Sequence, residues 1–409
     1  MRKIGPGIGN SPGRPAAVLE GVLEAGILLL PLLCLAGLER PFSTPKTGLL
    51  VVLAAASAAC YALRRLPLPD CAWMAWVAAV SVSALTAPWA SFDATLLALL
   101  PVPLYLAVRG GSLPPERAAR AVIRGSTVLA AVACLQFAGL DPLRLGGWQP
   151  EAFANPRMRV YGTLGNPAFV AAWLCAALPV TASTARGRPL RWAAAALQLG
   201  AIFATGSRIF LLAFPAAAAV TFSRDGRRAK WLLAGVPVAA ALLWLAPARP
   251  LGETVEGRLY YARVVASRWS EIPVFGCGPG SFRPRFAAWQ ASWLKERGPD
   301  GAARFAGDVD HAHNDYLETL VEFGPAGLAA FLAFCAWAAT ASRPVRTAVA
   351  GGALGGAAAL AAAALADFPF RRPAEWTLFW LLLALSAGNG PESDATQKKE
   401  ELCRSHGNG

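Results

Sequence analysis

Long, nearly uninterrupted apolar runs restrict what this chain can fold into more than any other feature. About twelve stretches of roughly 16 to 23 mostly apolar residues follow one another along the sequence, and a helix of that length, rising 1.5 Å per residue, crosses about 30 Å of hydrocarbon. In lipid the backbone must satisfy its own hydrogen bonds, so each run is read as a helix. The predicted helices are Val18–Leu38, Gly48–Leu63, Cys71–Pro88, Phe92–Val108, Ala118–Leu140, Asn166–Thr184, Leu190–Thr205, Ile209–Phe222, Trp231–Ala246, Asn314–Ala341, Arg346–Ala366 and Ala374–Ala387. Of the 409 residues 55% are hydrophobic and only 15% charged, which excludes a disordered or fibrous chain and argues against a soluble enzyme. The fold class expected is an all-α integral membrane protein of about 12 transmembrane helices, with one long, partly helical extracytoplasmic loop.

Charge supplies the orientation. The formal net charge of +13 is spread between the apolar runs rather than gathered in one block. With a cytoplasmic N-terminus, 21 of the 38 Lys and Arg residues fall on inside segments, 8 on short outside segments and 9 on the long loop at 248–313. That asymmetry predicts both termini in the cytoplasm. Because orientation accounts for most of the basic excess and no basic stretch is interleaved with aromatics, nucleic acid is not expected as a partner. Arg2 and Lys3 precede an apolar segment in the manner of a signal peptide, but the segment is long and lacks a small-residue cleavage site, so a retained first helix is expected. Of 8 cysteines, six lie in predicted membrane segments and none forms a CxxC pair, which is neither a disulfide framework nor a zinc ribbon.

No Gly/Ser-rich linker divides the chain. It is read as one membrane domain, 1–387, followed by a polar tail at 388–409 expected to be disordered and cytoplasmic. Loop 248–313 is too long for a simple connection and carries Tyr260, Tyr261, Trp269, Phe282, Phe286, Trp289 and Trp293, an aromatic supply that a solvated linker would not need. It is expected to fold as a lobe: a helix near Glu256–Trp269, a break at Pro273, a glycine-rich turn at Gly276–Gly280, and a second helix across Phe286–Arg297.

The densest polar cluster, Asp308–Glu318, lies where this loop returns to the membrane and holds His311 and His313. Histidine titrates close to neutral pH, so an imidazole here can take a proton from an acceptor hydroxyl. Asn314 and Asp315 also suit a helix N-terminus, and the stretch equally reads as a polar cap. With Asp308 and Asp310 the two histidines offer enough ligands for a metal, but the His-x-His spacing is generic and no metal is assigned. Arginines form the second constellation. Arg208, at a helix start, and Arg258, Arg263 and Arg268, on the first loop helix, fall on the outer side; guanidinium groups grip phosphate bidentately, so converging arginines suit a diphosphate. Helix-end snorkelling and a solvated helix face account for them equally well. Arg371 and Arg372 reach the same side. Glu318 and Glu322, four residues apart, share a helix face, and such intramembrane carboxylates face a cavity, a partner arginine or a hydrated interface.

The order of these motifs resembles the O-antigen ligase family of lipopolysaccharide O-antigen ligases, related polymerases and protein O-oligosaccharyltransferases. The resemblance is carried by Gly162-Thr-Leu-Gly-Asn-Pro, Gly206-Ser-Arg, Gly257-Arg-Leu, Pro273-Val-Phe-Gly-Cys-Gly-Pro-Gly-Ser-Phe, and His313-Asn-Asp-Tyr-Leu-Glu followed by Glu322-Phe-Gly-Pro-Ala-Gly, across about Gly162–Leu328. It implies a metal-independent membrane glycosyltransferase without cofactor, which takes a glycan from an undecaprenyl-diphosphate carrier to an acceptor hydroxyl, lipid A core or another glycan or protein, at the outer face of a bacterial inner membrane. Arg208 and Arg258 match the arginines that the family uses for the diphosphate, and His313 the histidine assigned to acceptor activation. Substrate-binding roles for Arg371, Arg372, Glu318, Glu322 and His311 extend that reading. Polymerisation of lipid-linked repeats, protein O-glycosylation and transport of a lipid-linked glycan remain alternatives.

Overall fold

A computed structural model describes residues 14–64, 68–148, 160–221, 251–297, 304–341 and 347–387. The described residues form helices α1 (Arg14–Leu29), α2 (Thr44–Arg64), α3 (Ala72–Thr86), α4 (Phe92–Leu99), α5 (Pro101–Arg109), α6 (Pro115–Phe137), α7 (Pro167–Ser183), α8 (Pro189–Ala204), α9 (Phe210–Thr221), α10 (Leu251–Ser267), α11 (Phe282–Arg297), α12 (Asp315–Ala341), α13 (Ala348–Ala363) and α14 (Pro373–Ser386). Four apolar runs are long enough to cross a membrane: Thr44–Arg64, Phe92–Arg109, Pro115–Phe137 and Asp315–Ala341. Five further apolar helices, α3, α7, α9, α13 and α14, are shorter. The chain is thus a helical, multi-pass membrane protein, with four long apolar runs and a set of shorter ones among the described residues. The expected helix Trp231–Ala246 and the tail at 388–409 lie outside the described residues.

Prolines set several of the differences. The first helix stops at Leu29 instead of Leu38 because Pro31 follows, and the residue before a proline is driven out of the helical region. The expected helix Phe92–Val108 is divided at Leu100 by Pro101, which cannot donate the helical hydrogen bond. Asn166 starts α7 as predicted: its side chain accepts from the Ala168 N–H at 2.8 Å, and Pro167 occupies the first helical position, where a missing N–H costs nothing.

Small residues let helices approach. A Cβ at Gly356 of α13 would stand 2.2 Å from the Ala176 carbonyl oxygen of α7, and one at Gly352 would stand 2.6 Å from that of Pro179. Packing between helices in lipid has little hydrophobic drive, so this close backbone contact is a main source of α7–α13 association. Elsewhere the core is aromatic: Trp76 of α3 meets Phe323 and Phe331 of α12 and Trp376 of α14, with ring centroids 5.0, 5.4 and 6.1 Å away.

The chain direction defines two ends of the bundle. Helices α6 and α8 run parallel, since Arg120 and Arg191 near their starts border one cavity and the Gln198 Nε2 donates to Thr127 Oγ1 further along at 3.4 Å. At the far end Gln136, in the last turn of α6, accepts from the Gly162 N–H at 2.7 Å, beside the start of α7. Helices α10 and α11 form a lobe with its own core of Tyr260, Val264, Phe282, Phe286, Trp289 and Trp293, seated on Val321 of α12.

Candidate active site

The site is built on the first turns of α12 and on its kink. Asn314 caps the helix, its side-chain oxygen accepting from the Leu317 N–H at 3.0 Å. Glu318 reaches back one turn: one carboxylate oxygen accepts from the Ala312 N–H at 3.0 Å and the other lies 3.0 Å from His311 Nδ1. His313, immediately before the cap, has φ of 49°, the only positive value for a non-glycine among the described residues. That region is costly for side-chain-bearing residues, and such conformations cluster at functional sites.

The glycine-rich turn completes the helix from outside. Gly324 adopts φ 70° and ψ −179° inside α12, and Pro325 follows. Together they release the carbonyls of Val321 and Glu322 from the helical ladder. Three donors replace the lost bonds: Cys277 N–H to Val321 at 2.8 Å, Gly278 N–H to Glu322 at 3.0 Å, and Ser83 Oγ to Glu322 at 2.7 Å. In return the Ala326 N–H donates to the Val274 carbonyl at 3.1 Å. Only glycine fits at 276 and 324, because a Cβ there would lie 2.2 Å from the carbonyl oxygens of Glu322 and Val274 respectively. The Glu322 carboxylate meanwhile faces the backbone N–H groups of Gly280 and Phe282. The motifs Pro273–Phe282 and Glu322–Gly327 are thus two halves of one joint.

Two chains of charge cross this joint. In the first, Arg371 Nε lies 3.0 Å from Glu318 and 3.8 Å from Asp315, while Nη2 lies 3.2 Å from Glu322 and donates to Thr319 Oγ1 at 3.3 Å. In the second, Arg372 Nη1 donates to Asp367 at 2.9 Å and Nε lies 2.9 Å from Glu375, with the guanidinium 3.8 Å above the Phe169 ring. The second chain ends at His313, whose Nδ1 is 3.9 Å from Asp367 Oδ1. Burial would raise the Asp367 carboxyl, but the Arg372 charge, helped by the nearby His313 imidazole, outweighs it and holds the group well below the usual carboxylate range. Arg371 is shifted the other way: burial alone would lower it, and Glu322, Glu318 and Asp315 raise it further above its ordinary value.

Phe368 stands between the chains. His311 stacks on its ring at 4.2 Å and His313 meets its edge at 5.1 Å. The corner that carries Phe368 is fixed to α12, since the Asp315 N–H donates to the Ala364 carbonyl at 2.9 Å and the Asp315 carboxylate accepts from the Phe370 N–H at 2.8 Å. A cavity of about 150 Å³ opens beside the joint, bordered by His311, Glu318, Glu322, Arg371 and Arg283.

Each residue singled out in the sequence has a defined place. Arg258, on α10, is partly buried; burial lowers its guanidinium, while the Asp367 charge raises it. Arg208 follows α8 in the Gly206 turn, at the end of the bundle where α7 begins, and that is the end that holds His313. His311, Glu318, Glu322 and Arg371 form one group, and Arg372 belongs to the other. Arg263 lies further along α10 and Arg268 directly follows its end, paired to Glu296 and Glu271. Asp308 and Asp310 both pair with Arg283, at 2.5 and 2.8 Å, rather than with the histidines. Among the described residues no group of three His, Cys, Asp or Glu side chains is gathered to hold a metal ion.

Sequence reasoning did not assign Asp315, Phe368, Glu375 or Lys46. Ionisable residues flanked by apolar runs were the available signal for the acids. Lys46, 2% exposed, donates to the carbonyls of Leu33, Phe42 and Thr163 at 2.6 to 2.9 Å and so ties the first helices to the Gly162–Pro167 turn.

Residues 193–332 match the family described as O-Antigen ligase, a family associated with glycosyl transfer of the ligase or polymerase type. The match includes Arg208, Arg258, His311, His313, Glu318 and Glu322, and leaves Gly162–Pro167 and Asp367–Glu375 outside it. No curated protein matches the chain.

Proposed function

We propose that the protein transfers a glycan from an undecaprenyl-diphosphate carrier to an acceptor hydroxyl, and that the acceptor is lipid A core, so that the reaction is O-antigen ligation at the outer face of a bacterial inner membrane. The observation that carries this reading is the approach of His313 Nδ1 to the buried Asp367 carboxylate, 3.9 Å apart, just before the start of α12, with the Arg258 charge acting on the same carboxylate from the lobe.

The chemistry follows from charge. A glycosyl diphosphate already has a good leaving group, so the protein must neutralise negative charge that grows as the bond between the anomeric carbon and the diphosphate oxygen breaks. Arg258 and Arg208 supply permanent positive charge for that purpose. His313 takes the proton of the acceptor hydroxyl as its oxygen bonds to the anomeric carbon, and Asp367, kept ionised by Arg372, stabilises the resulting imidazolium. The lipid diphosphate departs with the bonding electron pair, and a single displacement inverts the anomeric centre. Arg371 and Arg372, each already paired with carboxylates, hold the frame. The sidedness has its own support: the end of the bundle opposite His313 carries Arg120, Arg186, Arg188 and Arg191, as a cytoplasmic end should.

The glycan profile of a gene-deletion strain tests the reading. Ligation predicts long glycans accumulating on the polyprenyl carrier and missing from lipopolysaccharide, restored by the wild-type gene. Lipopolysaccharide bearing single repeat units identifies a polymerase instead. Unchanged pools in both fractions would place the acceptor elsewhere, on protein, or refute transfer.

A further inference from the structure

The end of the bundle opposite His313 holds a second cavity, of about 350 Å³, that the transfer reaction does not use. Four arginines border it: Arg120 from α6, Arg191 from the first turn of α8, and Arg186 and Arg188 from the turn that joins α7 to α8. Glu116 is the one acidic residue among those lining it. Arg188 and Arg120 stand close enough to Arg191 for their charges to act on it. Topology alone requires positive residues at this end, but it does not require them to converge, and solvated guanidinium groups repel one another.

The backbone adds to the same field. The Thr347 hydroxyl caps α13 by accepting from the Ala350 N–H at 3.1 Å, and Ala348 and Val349, whose amides belong to the unsatisfied first turn, line the cavity. The N-terminus of α13 therefore directs N–H groups and the positive end of its dipole at a space already bordered by four cations. Ser183 and Thr184 complete the polar wall, and Arg191 is held in place by donating to the Thr184 carbonyl at 3.0 Å. Planar guanidinium forks and free helix amides are the groups that recognise phosphate oxygens, and this cavity offers both.

We propose that this cavity binds a phosphate group, carried either by the headgroup of an anionic phospholipid or by a free phosphorylated molecule. The site is separate from the donor end and stands whether or not the transfer reading holds.

The test compares the full-length wild-type protein with the Arg186→Gln/Arg188→Gln double variant, both of whose altered side chains are exposed. Inorganic pyrophosphate is titrated by calorimetry against each protein in detergent, and phosphatidylglycerol retained from mixed phosphatidylglycerol and phosphatidylcholine nanodiscs is counted by native mass spectrometry. Loss of two charge-assisted contacts should weaken the bound probe at least about tenfold. Pyrophosphate binding that the variant loses assigns a free phosphorylated ligand; selective phosphatidylglycerol retention that the variant loses assigns a lipid. Should the double variant elute as aggregate, Arg188→Gln alone carries the comparison. No binding of either probe, or equal binding by wild type and a well-folded variant, overturns the proposal.

Discussion

Replacing Arg371 with methionine separates a framework role from a substrate-binding one. The guanidinium is 13% exposed and meets Glu318, Glu322 and Asp315, which are 2%, 4% and 0% exposed as side chains. Removing one member of a buried ionic group leaves its partners desolvated and uncompensated, which costs about 3–5 kcal/mol. Glu318 keeps the Ala312 N–H and His311, and Glu322 keeps the backbone amides of the glycine turn, so the lower end of that range applies. Arg371→Met is therefore expected to lose about 3 kcal/mol of stability. The triple variant Arg371→Met/Glu318→Gln/Glu322→Gln, which removes two stranded charges along with the cation, should regain more than half of that loss. Reversible unfolding in mixed micelles, followed by tryptophan fluorescence, reads both values. Arg371→Met with wild-type stability and no glycan transfer would refute the reasoning and make this guanidinium a substrate ligand.

Three further outcomes are expected. Gly324→Ala should cost more than Gly139→Ala in a thermal melt, although both positions have positive φ: Gly139 has open space around it and pays only about 1–2 kcal/mol of left-handed strain, whereas Gly324 also forces a Cβ against the Val274 carbonyl. The carboxyl of Asp367 is lower in the folded than in the unfolded chain, so its contribution to stability is complete above the ordinary carboxylate range of about pH 4 and disappears as pH falls toward its folded value. Asp367→Asn should accordingly lower the melting temperature between pH 5 and 8 by a constant amount and flatten the acid limb, and an acid limb unchanged by the substitution would contradict this. Glycan transfer should survive chelation; inactivation by chelator with rescue by a divalent ion would make His311 and His313 metal ligands.

Much of the membrane architecture was legible because lipid leaves a hydrophobic helix few alternatives. Asn166 and Asn314 announced helix starts, and the structure finds both as caps. The break at Pro273 and the helix ending at Arg297 were readable from glycine, proline and aromatic spacing, and the observed α10 and α11 follow them within a few residues. Proline effects inside apolar runs were misjudged at Pro31 and Pro101, where hydropathy continues although the helix does not. The site was legible in residues and not in partners. Glu318 and Glu322 were recognisable as intramembrane carboxylates, but their pairing with Arg371 joins positions some fifty residues apart and depends on how α12 packs against the Asp367–Arg372 corner. For the same reason the His313–Asp367 contact and the Lys46 bridge to Thr163 had no local signal.

The most direct test of the central claim is glycan transfer by purified protein in liposomes that contain a polyprenyl-diphosphate oligosaccharide and lipid A core, with wild type compared against His313→Ala at matched folded concentration. Loss of a general base predicts at least a roughly hundredfold fall in rate with the protein still inserted and folded. Transfer by His313→Ala within about twofold of wild type would remove the imidazole from the reaction and, with it, the mechanism built around it.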